Sequence, residues 1–109
     1  MNERETVTKY FAVLLKPVEG RELPLPLVEK HAQHLADLNA QGKLLLAGPF
    51  ADHPWGLVIL EGSSKTEIIQ IFNEDPFITS GVKTFEVATW VMATRENHFM
   101  PPLSVEPSN

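Results

Sequence analysis

The order of apolar segments predicts an α+β fold with the element sequence β-α-β-β-α-β. Three observations carry this expectation. Runs of aromatic, branched and leucine-rich residues alternate with two stretches of helical periodicity. The second and third runs are separated by a short Gly- and Pro-bounded connection, as in a hairpin. Each helical stretch has its own start signal.

The elements follow in order. Lys9, Tyr10, Phe11, Ala12, Val13, Leu14 and Leu15 form the first strand, ended by Lys16-Pro17. Residues 17–25 hold two prolines and a glycine and read as a loop. Pro26 suits the first turn of a helix that runs to about Gln41, with Gly42 as its C-terminal cap. Residues 44–47 form a second strand closed by Gly48-Pro49, and residues 56–60 a third. Ser64-Lys65-Thr66-Glu67 has the spacing of a capping box and opens the second helix. Ile68, Ile69, Ile71 and Phe72 give it an apolar stripe. Asp75 precedes Pro76, so the helix stops near Asn73 or Glu74. Residues 76–81 are turn-rich. Residues 82–92 form a last strand, with Phe85, Val87 and Val91 on one face and Ala88, Trp90 and Met92 on the other. Residues 1–7 are polar and read as frayed. The domain is expected over residues 1–95, with an extended Pro-rich tail over 96–109.

This order is the ferredoxin-like arrangement, an antiparallel sheet with two helices on one face. Such a sheet, with its other face in water, alternates apolar and polar residues. Here the first three strands are apolar on both faces: Tyr10, Ala12 and Leu14 back Phe11, Val13 and Leu15, Leu44 and Leu46 back Leu45 and Ala47, and Leu57 and Ile59 back Val58 and Leu60. Two helices cover one face only. The expectation is a homodimer packed sheet to sheet.

Composition narrows the function. The 109 residues hold 9 Lys+Arg against 14 Asp+Glu, for a formal charge of −5, which gives no electrostatic basis for general nucleic-acid binding. No apolar run approaches a membrane span, and the charged start MNERETVTK does not read as a secretory signal. The absence of cysteine removes thiol catalysis and Cys-based metal sites. The expectation is a cytoplasmic protein without a metal or other cofactor, and composition alone does not say what it does.

Two residues stand out. On a helical wheel His31 falls inside the apolar stripe of Leu27, Leu35 and Leu38, with His34 at its edge. An imidazole buried there without a partner costs about 1–3 kcal/mol. It is either satisfied by a backbone carbonyl or placed for proton transfer. Asp75 follows the end of the second helix, where a carboxylate close to the carbonyls is disfavoured by about 0.3–1 kcal/mol. It either starts a turn before Pro76 or points back toward a cation. Both helices lie on one sheet face, so His31 is a candidate partner. Such a pair fixes the imidazole tautomer, as general acid/base chemistry requires. His31 and His34 are three apart and also have the spacing to share a metal, but no further ligand has diagnostic spacing. Nucleotide-phosphate loops and a serine nucleophile elbow are absent from the sequence.

The stretch His31-Ala32-Gln33-His34-Leu35, then residues 41–50 (QGKLLLAGPF), Trp55-Gly56-Leu57-Val58-Ile59, Asp75-Pro76-Phe77 and Gly81 resembles the YCII-related family. The resemblance covers about residues 8–92. It implies the dimeric α+β-barrel variant of the ferredoxin-like fold and an active-site His–Asp pair. The family histidine lies eleven residues before the glycine that ends the helix, which is His31 counted back from Gly42. His34 sits one turn too close. The family aspartate maps onto Asp75. The related barrel superfamily includes muconolactone isomerases and a dehydrochlorinase acting on chlorinated hydroxyquinols. The resemblance therefore implies a lyase or isomerase with His31 as acid/base and Asp75 orienting it. His34, Leu35, Trp55 and Phe77, with Leu27, are the candidate substrate-binding residues. The rival reading is a non-catalytic module that binds a small ligand or another protein through the same cleft.

Overall fold

The computed structural model describes residues 9–101. The elements are β1 (Lys9–Pro17), α1 (Leu25–Ala40), β2 (Leu44–Pro49), β3 (Gly56–Gly62), α2 (Lys65–Asn73), α3 (Pro76–Thr79) and β4 (Lys83–Trp90). The four strands form one antiparallel sheet in the order β2-β3-β1-β4. This is the expected α+β, ferredoxin-like topology. Two refinements concern the connections. Residues 76–81, expected to be turns, contain the single-turn helix α3. The expected extended tail begins instead with a one-turn 3-10 helix, Arg95–Asn97. Thr94 and Asn97 hold it by capping each other: Thr94 Oγ1 accepts from the Asn97 amide and Asn97 Oδ1 accepts from the Thr94 amide. The rest of the expected tail, from residue 102, and the frayed start over residues 1–7 lie outside the described residues.

The core forms where the helices meet one face of the sheet. Phe11, Val13 and Leu15 of β1 stand beside Leu60 and Val58 of β3 in the register Phe11↔Leu60 and Val13↔Val58. Leu38 of α1 and Ile68 and Phe72 of α2 close over them, all buried. Phe85 and Val87 of β4 pack against this cluster from the edge. The opposite face carries Tyr10, Ala12 and Leu14 of β1, Ile59 of β3 and Ala88 and Trp90 of β4. It has no covering layer among the described residues, and Leu46 (68%) and Trp90 (41%) are exposed.

One facing differs from the strict alternation expected of β2. Leu44 pairs with Leu60 but Leu46 pairs with Ile59, with a register shift between them. Two residues of β2 therefore oppose one step of β3. The shift puts Leu44 on the helix side and Leu46 on the open side, although they are two apart. A bulge breaks the period of two in this way.

Helix ends follow from local chemistry. The α1 helix starts with Pro26 in its first turn and ends in a Schellman motif around Gly42, whose φ is +77°. The Gly42 amide donates to the Asn39 carbonyl at 3.0 Å and the Lys43 amide to the Leu38 carbonyl at 3.0 Å. The start of α2 realises the Ser64 half of the expected capping box, while Glu67 reaches one residue further back, to Ser63. Ser64 Oγ accepts from the Glu67 amide at 3.1 Å. Glu67 Oε1 reaches back to the Ser63 amide at 2.7 Å and Oε2 accepts from Lys43 Nζ at 3.0 Å. These bonds, the Ser63 amide first, hold the Glu67 carboxyl down at about 2.

Two outcomes are expected. Replacing Gly42 with Ala forces a Cβ into left-handed backbone and should cost about 1–2 kcal/mol in denaturant unfolding. Replacing Glu67 with Gln should cost about 1 kcal/mol near neutral pH. The folded-state pKa lies below the unfolded one, so the contribution of Glu67 is fully present above about pH 4.5 and disappears as pH falls toward 2. Unfolding curves of the two proteins should converge across that window.

Candidate functional site

A cleft of about 390 Å³ opens between the N-terminal half of α1 and the adjoining ends of the strands. The volume suits a small molecule. Val28, Ala32 and Leu35 of α1 form one wall, and Leu15, Ala47 and Pro49 contribute from the sheet. Phe77 of α3 closes another side. The ionisable side chains that line it are His31 and Lys83.

His31 and Asp75 meet at this cleft from positions 44 apart in the chain. His31 Nδ1 lies 2.8 Å from Asp75 Oδ2 and 3.0 Å from Oδ1. The Asp75 carboxylate has no solvent exposure, and the His31 side chain is 13% exposed. An ionised carboxylate only accepts, so Nδ1 is the protonated nitrogen. In the neutral imidazole the lone pair is then on Nε2, and His31 lines the cleft. Phe77 stacks on the imidazole with centroids 4.0 Å apart and planes 15° apart.

The position of Asp75 has a local cause. It does follow α2, but it is also the N-cap of α3. Its Oδ1 accepts from the Phe77 amide at 2.8 Å, while its backbone carbonyl accepts from Ile78 and Thr79. The unfavourable field expected at the end of α2 is therefore countered by donors at the start of the next helix. Pro76 at the first position of α3 supports this, having no amide to satisfy. Gly81, with φ of +80°, then turns the chain into β4.

The candidate residues divide. His31, Asp75, Leu35 and Phe77 come together. His34 does not join them. Three residues on, it is rotated about 60° away from His31 around α1, toward α2, where its ring meets Phe72 edge-on at 5.9 Å. Its Nε2 is buried with no hydrogen-bond partner there. Trp55 sits in the β2–β3 connection, with Lys16 Nζ 5.5 Å from its ring and His53 edge-on to it, and does not line the cleft. Leu27 also stays outside the lining, one position before Val28, which faces in. Among the described residues no three His, Cys, Asp or Glu side chains converge as metal ligands would.

Lys83 is the cleft residue that the sequence reading passed over. It shares the phase of Phe85 and Val87, the helix-facing side of β4. A lysine in register with core residues was the available signal. Its Nζ lies 5.2 Å from the centre of the Phe77 ring. Burial pulls its pKa below the usual lysine range, and the charge of Asp75 opposes that shift.

Comparison with known proteins agrees with the fold. The model of the YCII-related domain matches residues 10–91, and the chain belongs to this family. A curated relative, the uncharacterized protein YjpA of Bacillus subtilis (strain 168), is 32% identical over 63 residues, which are 58% of this chain and 74% of YjpA. Among solved structures, the 5-chloro-2-hydroxyhydroquinone dehydrochlorinase TftG of Burkholderia phenoliruptrix, in complex with 2,5-dihydroxybenzoquinone, superposes with a TM-score of 0.58 at 24% identity. The match covers 81% of this chain and 98% of TftG. No helix among the described residues is long and apolar enough to cross a membrane.

The buried pair makes two predictions. In nitrogen-15 spectra of the neutral imidazole, His31 should show Nδ1 as the protonated nitrogen, and Asp75→Ala should abolish that tautomer preference. The same variant leaves the His31 Nδ1 proton and the Phe77 amide without their acceptor. It should cost about 3 kcal/mol in denaturant unfolding.

Proposed function

We propose that this protein is a small-molecule enzyme, a lyase or isomerase, in which His31 transfers a proton and Asp75 orients it. The observation that carries this reading is the fully buried Asp75 carboxylate bonded to His31 Nδ1 at the wall of an apolar cleft. Nε2, which holds the lone pair, takes a proton from a carbon or hydroxyl of the ligand. The imidazolium so formed keeps its Nδ1 proton on Asp75, whose charge stabilises it. Returning the proton to another atom of the ligand isomerises it. In elimination the electron pair of the broken C–H or O–H bond forms the new π bond, and the leaving group departs with the electron pair of its own bond to carbon. The apolar walls exclude water from the ligand, which strengthens these electrostatic effects.

Family membership and the shared fold support the class of reaction. TftG is by its name a dehydrochlorinase, an elimination enzyme, and its structure holds a dihydroxybenzoquinone. The cleft volume of about 390 Å³ leaves room for a ring of that size.

The test is turnover on a panel of chlorinated hydroxyquinols and unsaturated lactones, followed by chloride release and absorbance. His31→Ala is expected to lower kcat by about 10²–10⁴-fold. Asp75→Asn should lower it as well, because an amide that donates to Nδ1 favours the wrong tautomer. Wild-type turnover in both variants overturns the acid/base pair. Ligand binding without turnover on any substrate of the panel favours a binding module instead.

The open sheet face supports a second part of the reading, a homodimer joined sheet to sheet. Leu14, Leu46 and Trp90 would then leave water against the same face of a second copy. Sedimentation at micromolar concentration is expected to give twice the chain mass, and Leu46→Asp combined with Trp90→Asp to halve it. A monomeric mass for the unmodified protein overturns the dimer.

A further inference from the structure

Lys83 is placed where the fold calls for an apolar side chain. It opens β4 on the face that carries Phe85 and Val87 into the core, opposite Pro17 of β1. Its side chain is half-buried and lines the cleft. The lysine ion pairs among the described residues are Lys16 with Glu86 and Lys43 with Glu67. Lys83 has no such partner among these residues. The nearest influence of opposite charge is Asp75, but the Asp75 oxygens already accept from His31 Nδ1 and the Phe77 amide. The Phe77 ring steadies the ammonium through its face, at 5.2 Å, yet satisfies none of its three N–H donors.

The remaining walls near it, Leu15, Val28, Leu35 and Phe77, are apolar. A cation brought to the edge of such a cleft loses hydration that these walls do not replace. An oxyanion entering the cleft replaces it directly. Both groups touch the Phe77 ring: His31 is stacked at 4.0 Å from its centre and Lys83 Nζ lies 5.2 Å from that point. An anion held by Lys83 therefore sits in the cleft that His31 also lines.

We propose that Lys83 anchors an ionised oxygen of the ligand, so that the cleft takes small oxyanions, carboxylate or phenolate, carried on an apolar frame. This deepens the enzyme reading by naming its substrate class, and it rests on that reading only in taking the same cleft as the ligand site. The positive charge selects the anion, and the apolar walls favour an apolar remainder of the ligand. Lys83 is here a substrate-anchoring group, and His31 remains the proton carrier.

The test is binding of four probes to the whole chain, followed by nitrogen-15 chemical shifts. Benzoate is compared with neutral benzamide, and 4-nitrophenolate with neutral 4-nitroanisole. The wild type is expected to prefer at least one anion over its neutral partner by about tenfold or more. A preference in one pair and not the other tells carboxylate from phenolate. Lys83→Met, which keeps the stem on Phe77, should reduce the preference to within about twofold while leaving affinity for the neutral probe unchanged. Lys83→Arg should retain the preference. Lys83→Gln serves in place of the Met variant if that one does not give a folded spectrum. His31→Ala should abolish turnover yet keep the preference for the anion, which separates failure of the catalytic pair from failure of this proposal. Equal binding of charged and neutral probes by the wild type overturns it. So does retention of the preference after loss of the Lys83 charge, or no binding of any probe at about 10 mM.

Discussion

A carboxylate sealed from water must find its hydrogen-bond donors within the protein, and the site is arranged around how Asp75 does so. One donor, the Phe77 amide, comes from its own turn. The other, His31 Nδ1, comes from α1. The first bond caps α3 and sets where Phe77 points. The second ties that turn to α1 and fixes which imidazole nitrogen carries the proton. Removing the carboxylate would strand both donors, so the shape of the cleft and the state of the histidine depend on the same atoms. The stack of Phe77 on His31 then restrains the plane of the imidazole.

The sheet supplies the frame for this arrangement. Registers such as Phe11↔Leu60 and Val13↔Val58 align the core face, and Leu38, Ile68 and Phe72 lock both long helices onto it. With α1 held this way, the residues that face the core and those that face the cleft occupy adjoining parts of its surface. Leu38 points into the core, whereas Val28, His31 and Leu35 reach the cleft. The β2 bulge works on the opposite layer, turning Leu46 outward to add apolar surface to the open face. The helix-covered core and the open apolar face thus lie on opposite sides of one sheet.

Much of the fold is legible in the sequence because it is written in local chemistry. The strand character of β1, the Ser64 cap and the glycine after α1 each act over a few residues, and each appears as expected. Of the expected α2 stripe, Ile68 and Phe72 are buried, whereas Ile69 is exposed. Features that depend on pairing between strands are less visible. Nothing within residues 44–47 announces that Leu44 and Leu46 will face opposite ways, since that is set by their alignment with β3. His34 shows the same limit. It shares the apolar side of the helix in projection, but the packing of α2 and Phe72 decides that it leaves the cleft to His31.

The sequence by itself determined the order of elements, the apolar excess of the strands, the helix caps and the unusual placement of two residues, His31 and Asp75. These follow from side-chain periodicity and from backbone preferences that act within a turn or two. The tertiary structure decided the rest. It joined His31 to Asp75 across 44 positions, set Phe77 against the imidazole and brought Lys83 to the same cleft. The reason is physical: a hydrogen bond of 2.8 Å between distant segments depends on helix rotation and strand register together, and neither is encoded by any one stretch of chain.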